Sequence, residues 1–273
     1  MPPQGLHPPC RPQSSPHNQG LLHLPGATTV STLAGPVKTD PALSSRVADT
    51  RGRIAAAERR SGRAPGGVSL VAVVKTQPSE RIAEAVALGL LDLGENRVQE
   101  AEMHQRDVPR GAARWHMIGH LQRNKAGRAL ELFDCLHGLD DLELGAAVAR
   151  RAVALGRAMP VLVEVNVSGE ASKFGVRPDA LPGLLERLAQ LEGLELRGLM
   201  TVGAPVERAE DARGGFALLR GLREDGERRL GRPLPELSMG MSGDFEVAIE
   251  EGATMVRIGT ALFGERKPRG EET

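Results

Sequence analysis

The sequence predicts an α/β protein folded as a single (β/α)8 TIM barrel. Three observations carry that expectation. From about residue 42, eight short strand-like apolar runs alternate with helical segments, and eight βα units are the mark of a closed parallel barrel. No glycine-rich dinucleotide fingerprint follows the first strand, which weakens the doubly wound open sheet, the other architecture with this alternation. The polar, glycine-rich stretches fall just after the strands, where such barrels gather their functional groups.

Taken in order, "ALSSRVADTRGRIAAAERRSG" reads as an amphipathic helix closed by Gly62. The run 68–75 is the first strand, apolar on both faces and ending at Lys75. "SERIAEAVALG" follows as a helix, with Ser79 as its N-cap and Gly89 at its end. "LLDLGEN" and "ARWHMIGH" are strands two and three, followed by helices in "VQEAEMHQR" and "RNKAGRALELF". "CLHGLD" is the fourth strand and "DLELGAAVARRAVALG" its helix. "MPVLVEVNVS" is the fifth, and Leu181, Leu184, Leu185, Leu188 and Leu191 stripe the helix after it. "LELRGLMTVG" is the sixth strand, with a charged helix over 209–230. "PELSMGMSGD" is the seventh, "FEVAIEEG" a short helix, and "MVRIGTALFG" the eighth strand.

The chain has 273 residues, 40% of them hydrophobic, enough for one domain of barrel size. With 35 basic and 35 acidic residues it advertises no nucleic-acid surface, and no apolar run reaches the length of a membrane span. Cys10 and Cys135 are too few for a disulfide framework, so the expected setting is cytoplasmic. There is no tyrosine, which excludes a tyrosine acid or base. Residues 1–41, rich in proline, glutamine and serine at the start, are expected to be a disordered extension. Residues 42–267 are expected to form the barrel, and 268–273 a short charged tail.

The strand ends aim polar groups at one rim of an otherwise apolar barrel. Lys75 reads either as an ion-pair partner of Glu95 or another rim carboxylate, or as an amine whose pKa, near 10.4 when free, is lowered by burial until it can attack an aldehyde. On the last two strands, "SMGMSGD" and "RIGT" combine glycine-opened backbone N–H groups with the hydroxyls of Ser238, Ser242 and Thr260. The loops after the last barrel strands recurrently hold phosphate. An aldehyde-bearing phosphate would span the two, and pyridoxal phosphate fits that description. Lys173 is a second rim amine, for phosphate or cofactor handover if not a surface lysine. His116 and His120 lack metal-ligand spacing, so no metal is expected.

"VAVVKTQPSE", "LGENRVQE", "WHMIGHLQRNK", "VNVSGEASKFG", "LMTVG" and "LSMGMSGDFEVAIEEGATMVRIGTALFG" together resemble the YggS/PROSC family of pyridoxal-phosphate homeostasis proteins, from about residue 44 to 265. The resemblance implies a barrel of the alanine-racemase N-terminal type standing alone, with Lys75 forming a Schiff base to the cofactor. It implies phosphate contacts around Ser242, Gly259 and Thr260, Arg257 facing the pyridine nitrogen, Asn96 lining the cofactor's face or its hydroxyl side, and packing or polar contacts from Met241 and His116. The function expected from this is a non-enzymatic carrier that exchanges pyridoxal 5'-phosphate with apo-enzymes, and a monomer is the preferred state. Weak racemase or decarboxylase activity is the alternative, and a cofactor-free Schiff-base aldolase a third class. Two positions depart from the usual pattern: Arg97 follows the GEN motif, where it is expected to be solvated, and His120 stands where many members have proline.

Overall fold

The computed structural model describes residues 39–170 and 172–265. The strands are β1 (Ser69–Val73), β2 (Asp92–Glu95), β3 (Arg114–Met117), β4 (Cys135–Leu139), β5 (Met159–Glu164), β6 (Leu194–Met200), β7 (Glu236–Ser238) and β8 (Met255–Ile258). Each pairs in parallel with its sequence neighbours, and β1 closes on β8 from Ser69↔Met255 to Ala72↔Ile258. The predicted barrel is therefore the fold. The expectation for the N-terminal extension lies outside the described residues up to residue 38, and that for the tail lies outside them entirely.

Local chemistry explains the helices. The first, α1 (Pro41–Arg60), starts on Asp40, whose carboxylate accepts the Ala42 N–H at 2.9 Å, and Pro41 occupies the first turn. In α2 (Ser79–Ala87) the cap is Pro78 rather than Ser79: its ψ of 151° keeps it extended just before the helix. Then come α3 (Val98–His104), α4 (Ala126–Leu132) after a 3-10 turn at Arg123–Lys125, and α5 (Leu142–Ala154), capped by Asp141. After α6 (Leu181–Leu188), the 209–230 helix divides into a 3-10 turn and α7 (Arg213–Leu230), followed by α8 (Phe245–Glu250). The expected eighth strand over 255–264 ends at Ile258, and Thr260–Phe263 turns into α9. Short apolar runs do not separate strand from helix by periodicity, so the two merged in the sequence.

The main core lies between sheet and helices. It contains the outward residues of the strands, among them Ala72, Leu93, Trp115, Val161, Val163, Leu199, Leu237 and Val256. Trp115 is fully buried there, and among the described residues its indole Nε1 has no hydrogen-bond partner. Alternation sends the other parity inward. Inside the barrel a small cluster of Cys135, Leu162 and Met200 shares space with His116, His137, Ser238 and Arg257, all at most 4% exposed. The expectation of an apolar barrel with polarity only at the rim is thus corrected. The inward positions of β3, β4, β7 and β8 carry polar side chains, tolerated because they hydrogen-bond one another.

One buried carboxylate fixes the approach to β1. Glu58 is 1% exposed and accepts the N–H groups of Gly66, Gly67 and Val68 at 2.9, 2.7 and 2.9 Å. Glu58→Ala strands three donors at the end of α1. It is expected to cost about 3 kcal/mol, read as a lower urea midpoint at an unchanged m-value. A change under about 0.5 kcal/mol contradicts that role. Among the described residues no helix is long and apolar enough to cross a membrane.

Candidate functional site

At the C-terminal ends of the strands a cavity of about 350 Å³ opens. Lys75, Asn96, Met241, Ser242, Arg257, Gly259 and Thr260, separated by up to 185 positions in sequence, all line it. Val73, Gln77, Ile118, Val202 and Phe263 add walls that the sequence reading missed. Strand parity points to two of them: Val73 and Ile118 share the inward parity of Lys75 and His116.

Lys75 stands two residues past the end of β1, half-buried, so the strand delivers it to the rim rather than ending on it. The next residue, Thr76, has a φ of 65°, the only positive φ outside glycine among the described residues. A side chain there costs on the order of 1 kcal/mol, so the backbone beside the amine is held against its own preference. Glu95 is fully buried on the outer side of the sheet, with an oxygen 2.9 Å from His104 Nδ1.

Across the cavity the loops after β7 and β8 are knitted together. Ser242 Oγ accepts the Ala261 N–H at 3.1 Å, and Asp244 Oδ1 accepts the Met241 N–H at 2.6 Å at the start of α8. Among the described residues, the N–H groups of Ser242 and Gly243 have no acceptor, and both residues line the cavity. Gly240 makes this turn possible: at φ 93°, a Cβ would come within 2.6 Å of the Ala248 methyl. Ser238, grouped with these hydroxyls in the sequence, lies beneath the pocket. It is fully buried and bonded to Arg257 Nη1 at 2.7 Å.

Arg257 is the buried cation of the site. Nη1 donates to Ser238 Oγ, and Nη2 donates to the Thr201 carbonyl at 2.8 Å. Burial draws its pKa down to about 10, with Glu164 and Asp244 opposing, so it stays charged at neutral pH. Glu164, missed in the sequence, points inward from β5, and burial together with Asp140 pushes its pKa up to about 7. The folded carboxyl keeps its proton in a range where the unfolded one, near 4.5, has released it. Stability from this group is therefore full below about pH 4.5 and is lost as pH rises to about 7. Glu164→Gln should remove that loss. Without added ligand, the variant is expected to gain up to roughly 3 kcal/mol on its parent between pH 5 and pH 8 in urea melts. Parallel pH profiles would contradict it.

Other rim residues fall outside this cavity. Lys173 Nζ is 2.9 Å from Glu170 and 3.3 Å from the Gly203 carbonyl. His120 stacks on Phe174 at 4.0 Å, with its Nδ1 3.6 Å from Asp140. Arg97 is exposed, 3.7 Å from Glu100, in keeping with a solvated rim. The sequence showed no Cys/His cluster, but folding makes one: donor atoms of His116, Cys135 and His137 lie within 4.8 Å of one another. All four imidazole nitrogens are committed to hydrogen bonds, and burial pushes the Cys135 thiol up, away from the thiolate a metal requires.

A parallel barrel with a lysine after β1 and glycine-rich loops after β7 and β8, all facing one cavity, points to a class. The family model described as alanine racemase, N-terminal domain, matches residues 53–267. The pyridoxal phosphate homeostasis protein of Pseudomonas aeruginosa is 43% identical over 224 residues, covering 82% of this chain and 96% of that protein. The one from Aquifex aeolicus is 45% identical over 215 residues, covering 79% and 94%. The chain belongs to this family of pyridoxal phosphate homeostasis proteins. Among solved structures, PipY of Synechococcus elongatus with PLP bound superposes with a TM-score of 0.71 at 36% identity, covering 81% of this chain and all of that one. D-threonine aldolase from Filomicrobium marinum, TM-score 0.65 at 19% identity, shares the fold over 83% of this chain and 61% of its own.

Proposed function

We propose that this protein binds pyridoxal 5'-phosphate reversibly, holds it as a Schiff base on Lys75, and releases it to apo-enzymes. The observation that carries the reading is the convergence of an amine, a buried guanidinium and an anion nest on one cavity. PipY, 36% identical, was solved with PLP bound.

The residues fit the cofactor's chemistry. The nest of Ser242, Gly243, Gly259 and Thr260 suits the phosphate, Arg257 suits a ring nitrogen that accepts, and Val73, Ile118 and Val202 give apolar walls. Bound here, the cofactor supplies an electrophilic aldehyde, and the Lys75 amine condenses with it reversibly with loss of water. An arginine at the ring nitrogen disfavours its protonation and makes the ring a poorer electron sink, which suits carriage better than carbanion chemistry. The relatives carry the names of homeostasis proteins, not of enzymes, and this sequence contains no tyrosine to serve as an opposing base.

The test is titration with pyridoxal phosphate, followed by borohydride reduction and peptide mapping. A band near roughly 420 nm that becomes a stable adduct on Lys75 is the expected result. Loaded protein mixed with an apo-aminotransferase should then lose the band as the acceptor gains activity. No band, or an adduct on Lys173 alone, would overturn the assignment.

A further inference from the structure

The barrel interior contains an unbroken series of buried hydrogen bonds. Asp92, at the start of β2, accepts from Arg114 at 2.6 Å beside a second cavity that opens at the other end of the strands. Asp92 Oδ1 lies 2.9 Å from His116 Nε2. His116 Nδ1 lies 3.0 Å from His137 Nε2, and His137 Nδ1 lies 3.0 Å from Ser238 Oγ. Ser238 Oγ lies 2.7 Å from Arg257 Nη1, and Arg257 lines the pocket. The series thus crosses the barrel, from a carboxylate at one end to a guanidinium at the other.

With both rings neutral, donor and acceptor inventories give the series one direction. A guanidinium only donates, so Arg257 donates to Ser238. An ionised carboxylate only accepts, and His116 and Arg114 hold the Asp92 carboxyl below its usual range against burial, so His116 Nε2 donates to it. With both imidazoles neutral, each carries one proton. His116 Nδ1 then accepts from His137 Nε2, and His137 Nδ1 accepts from the Ser238 hydroxyl. The two ends give the same answer, with no donor facing a donor. The surroundings of His137 agree with a neutral ring: burial and the Arg257 charge keep its pKa well below the usual value, and Cys135 on its own strand is a buried thiol.

We propose that Asp92, His116, His137 and Ser238 are positioning residues: a one-way hydrogen-bond chain that fixes how Arg257 presents its guanidinium to the ligand pocket. Ser238 and the Thr201 carbonyl each hold one terminal nitrogen of Arg257. Its remaining N–H groups are left for the ligand, and the Asp92 charge offsets the buried cation through the polarised chain. Glu164 and Asp244 face Arg257 from β5 and from the start of α8 and supply the rest of that offset. Proton placement in the chain is a property of the protein alone. The effect on a bound ligand rests on the pyridoxal phosphate reading.

The experiment separates the two. Long-range 1H–15N spectra of protein labelled at histidine nitrogen, recorded without cofactor, report each ring's tautomer. At pH 7, His116 and His137 are expected to be neutral and protonated on Nε2. A proton on Nδ1 of either ring, or a doubly protonated His116, overturns the proposal. In Ser238→Ala, His137 loses a donor that favours its neutral form, so its titration midpoint should rise. A midpoint that stays or falls means that Ser238 does not donate to it, and the proposal fails. With pyridoxal phosphate, Ser238→Ala and Asp92→Asn are each expected to weaken binding about tenfold, the size of one lost hydrogen bond to a charged group. Unchanged affinity in both variants overturns the positioning role. A parent that binds no pyridoxal phosphate sinks the functional reading, and the histidine spectra still decide the chain.

Discussion

Lys75→Ala is expected to abolish the absorbance band of the loaded protein and the borohydride-stable adduct. It is also expected to weaken pyridoxal phosphate binding on the order of 100-fold, about 2.7 kcal/mol. The loss should be incomplete because the opposite wall stays intact: Ser242, Thr260 and Arg257 are placed by β7 and β8, not by Lys75. Residual binding should still be competed by inorganic phosphate. Lys75→Arg separates charge from nucleophilicity, since it keeps a cation at the rim but cannot form a Schiff base. If Lys75→Arg retained the band, another amine would be the attachment point. If Lys75→Ala bound as tightly as its parent, covalent capture would contribute nothing to affinity.

Gly198→Ala should be the most damaging single methyl in the sheet. Gly198 lies on β6 opposite Glu236 of β7, and a Cβ there would stand 1.9 Å from the Glu236 carbonyl oxygen and 2.7 Å from its carbon. These are backbone atoms, so no rotamer change relieves the overlap. The β5–β6 pairing also slips register just before it, between Val161 and Leu162, so the strand is already bent at this place. The expected cost is at least about 3 kcal/mol, the upper range for overpacking. Because Thr201 follows β6 and Ser238 ends β7, both anchors of Arg257 should shift as well. Pyridoxal phosphate binding should therefore fall even where the variant remains folded. A variant with the parent's melting temperature would show that β6 and β7 spread freely at this point.

Much of this was legible in the sequence, for identifiable reasons. Strand order followed from alternation, because parallel barrels connect neighbouring strands through helices. The expected pocket residues were legible because all but Arg257, which lies within β8, fall after a strand end, and closure brings those places together. Helix limits were less so: Ser79 resembles a cap, but Pro78 before it takes the position. Thr260–Phe263 is apolar enough to extend a strand, yet it coils into α9. The polar interior was hidden for another reason. His116 sits between Trp115 and Met117, and His137 between Leu136 and Gly138, so only the inward parity of each strand distinguishes them. Asp92 and Ser238, 146 positions apart, become ends of one hydrogen-bonded series only when β2, β3, β4 and β7 share a barrel. Nothing in the sequence marks Glu164; only burial, with Asp140 nearby, raises its pKa.

The indole of Trp115 makes the protein its own optical reporter. With no tyrosine and one tryptophan, near-ultraviolet emission comes almost wholly from one ring, locked in apolar surroundings with no partner for its N–H among the described residues. That emission should be blue-shifted while the barrel is closed and move to the red when it opens. Trp115 stands on the strand that carries Ile118 to the pocket wall. A chromophore absorbing in the violet within that pocket should quench the ring by energy transfer. Loading, unloading and unfolding could then be followed in a single cuvette, without a label, by one change in intensity and another in colour.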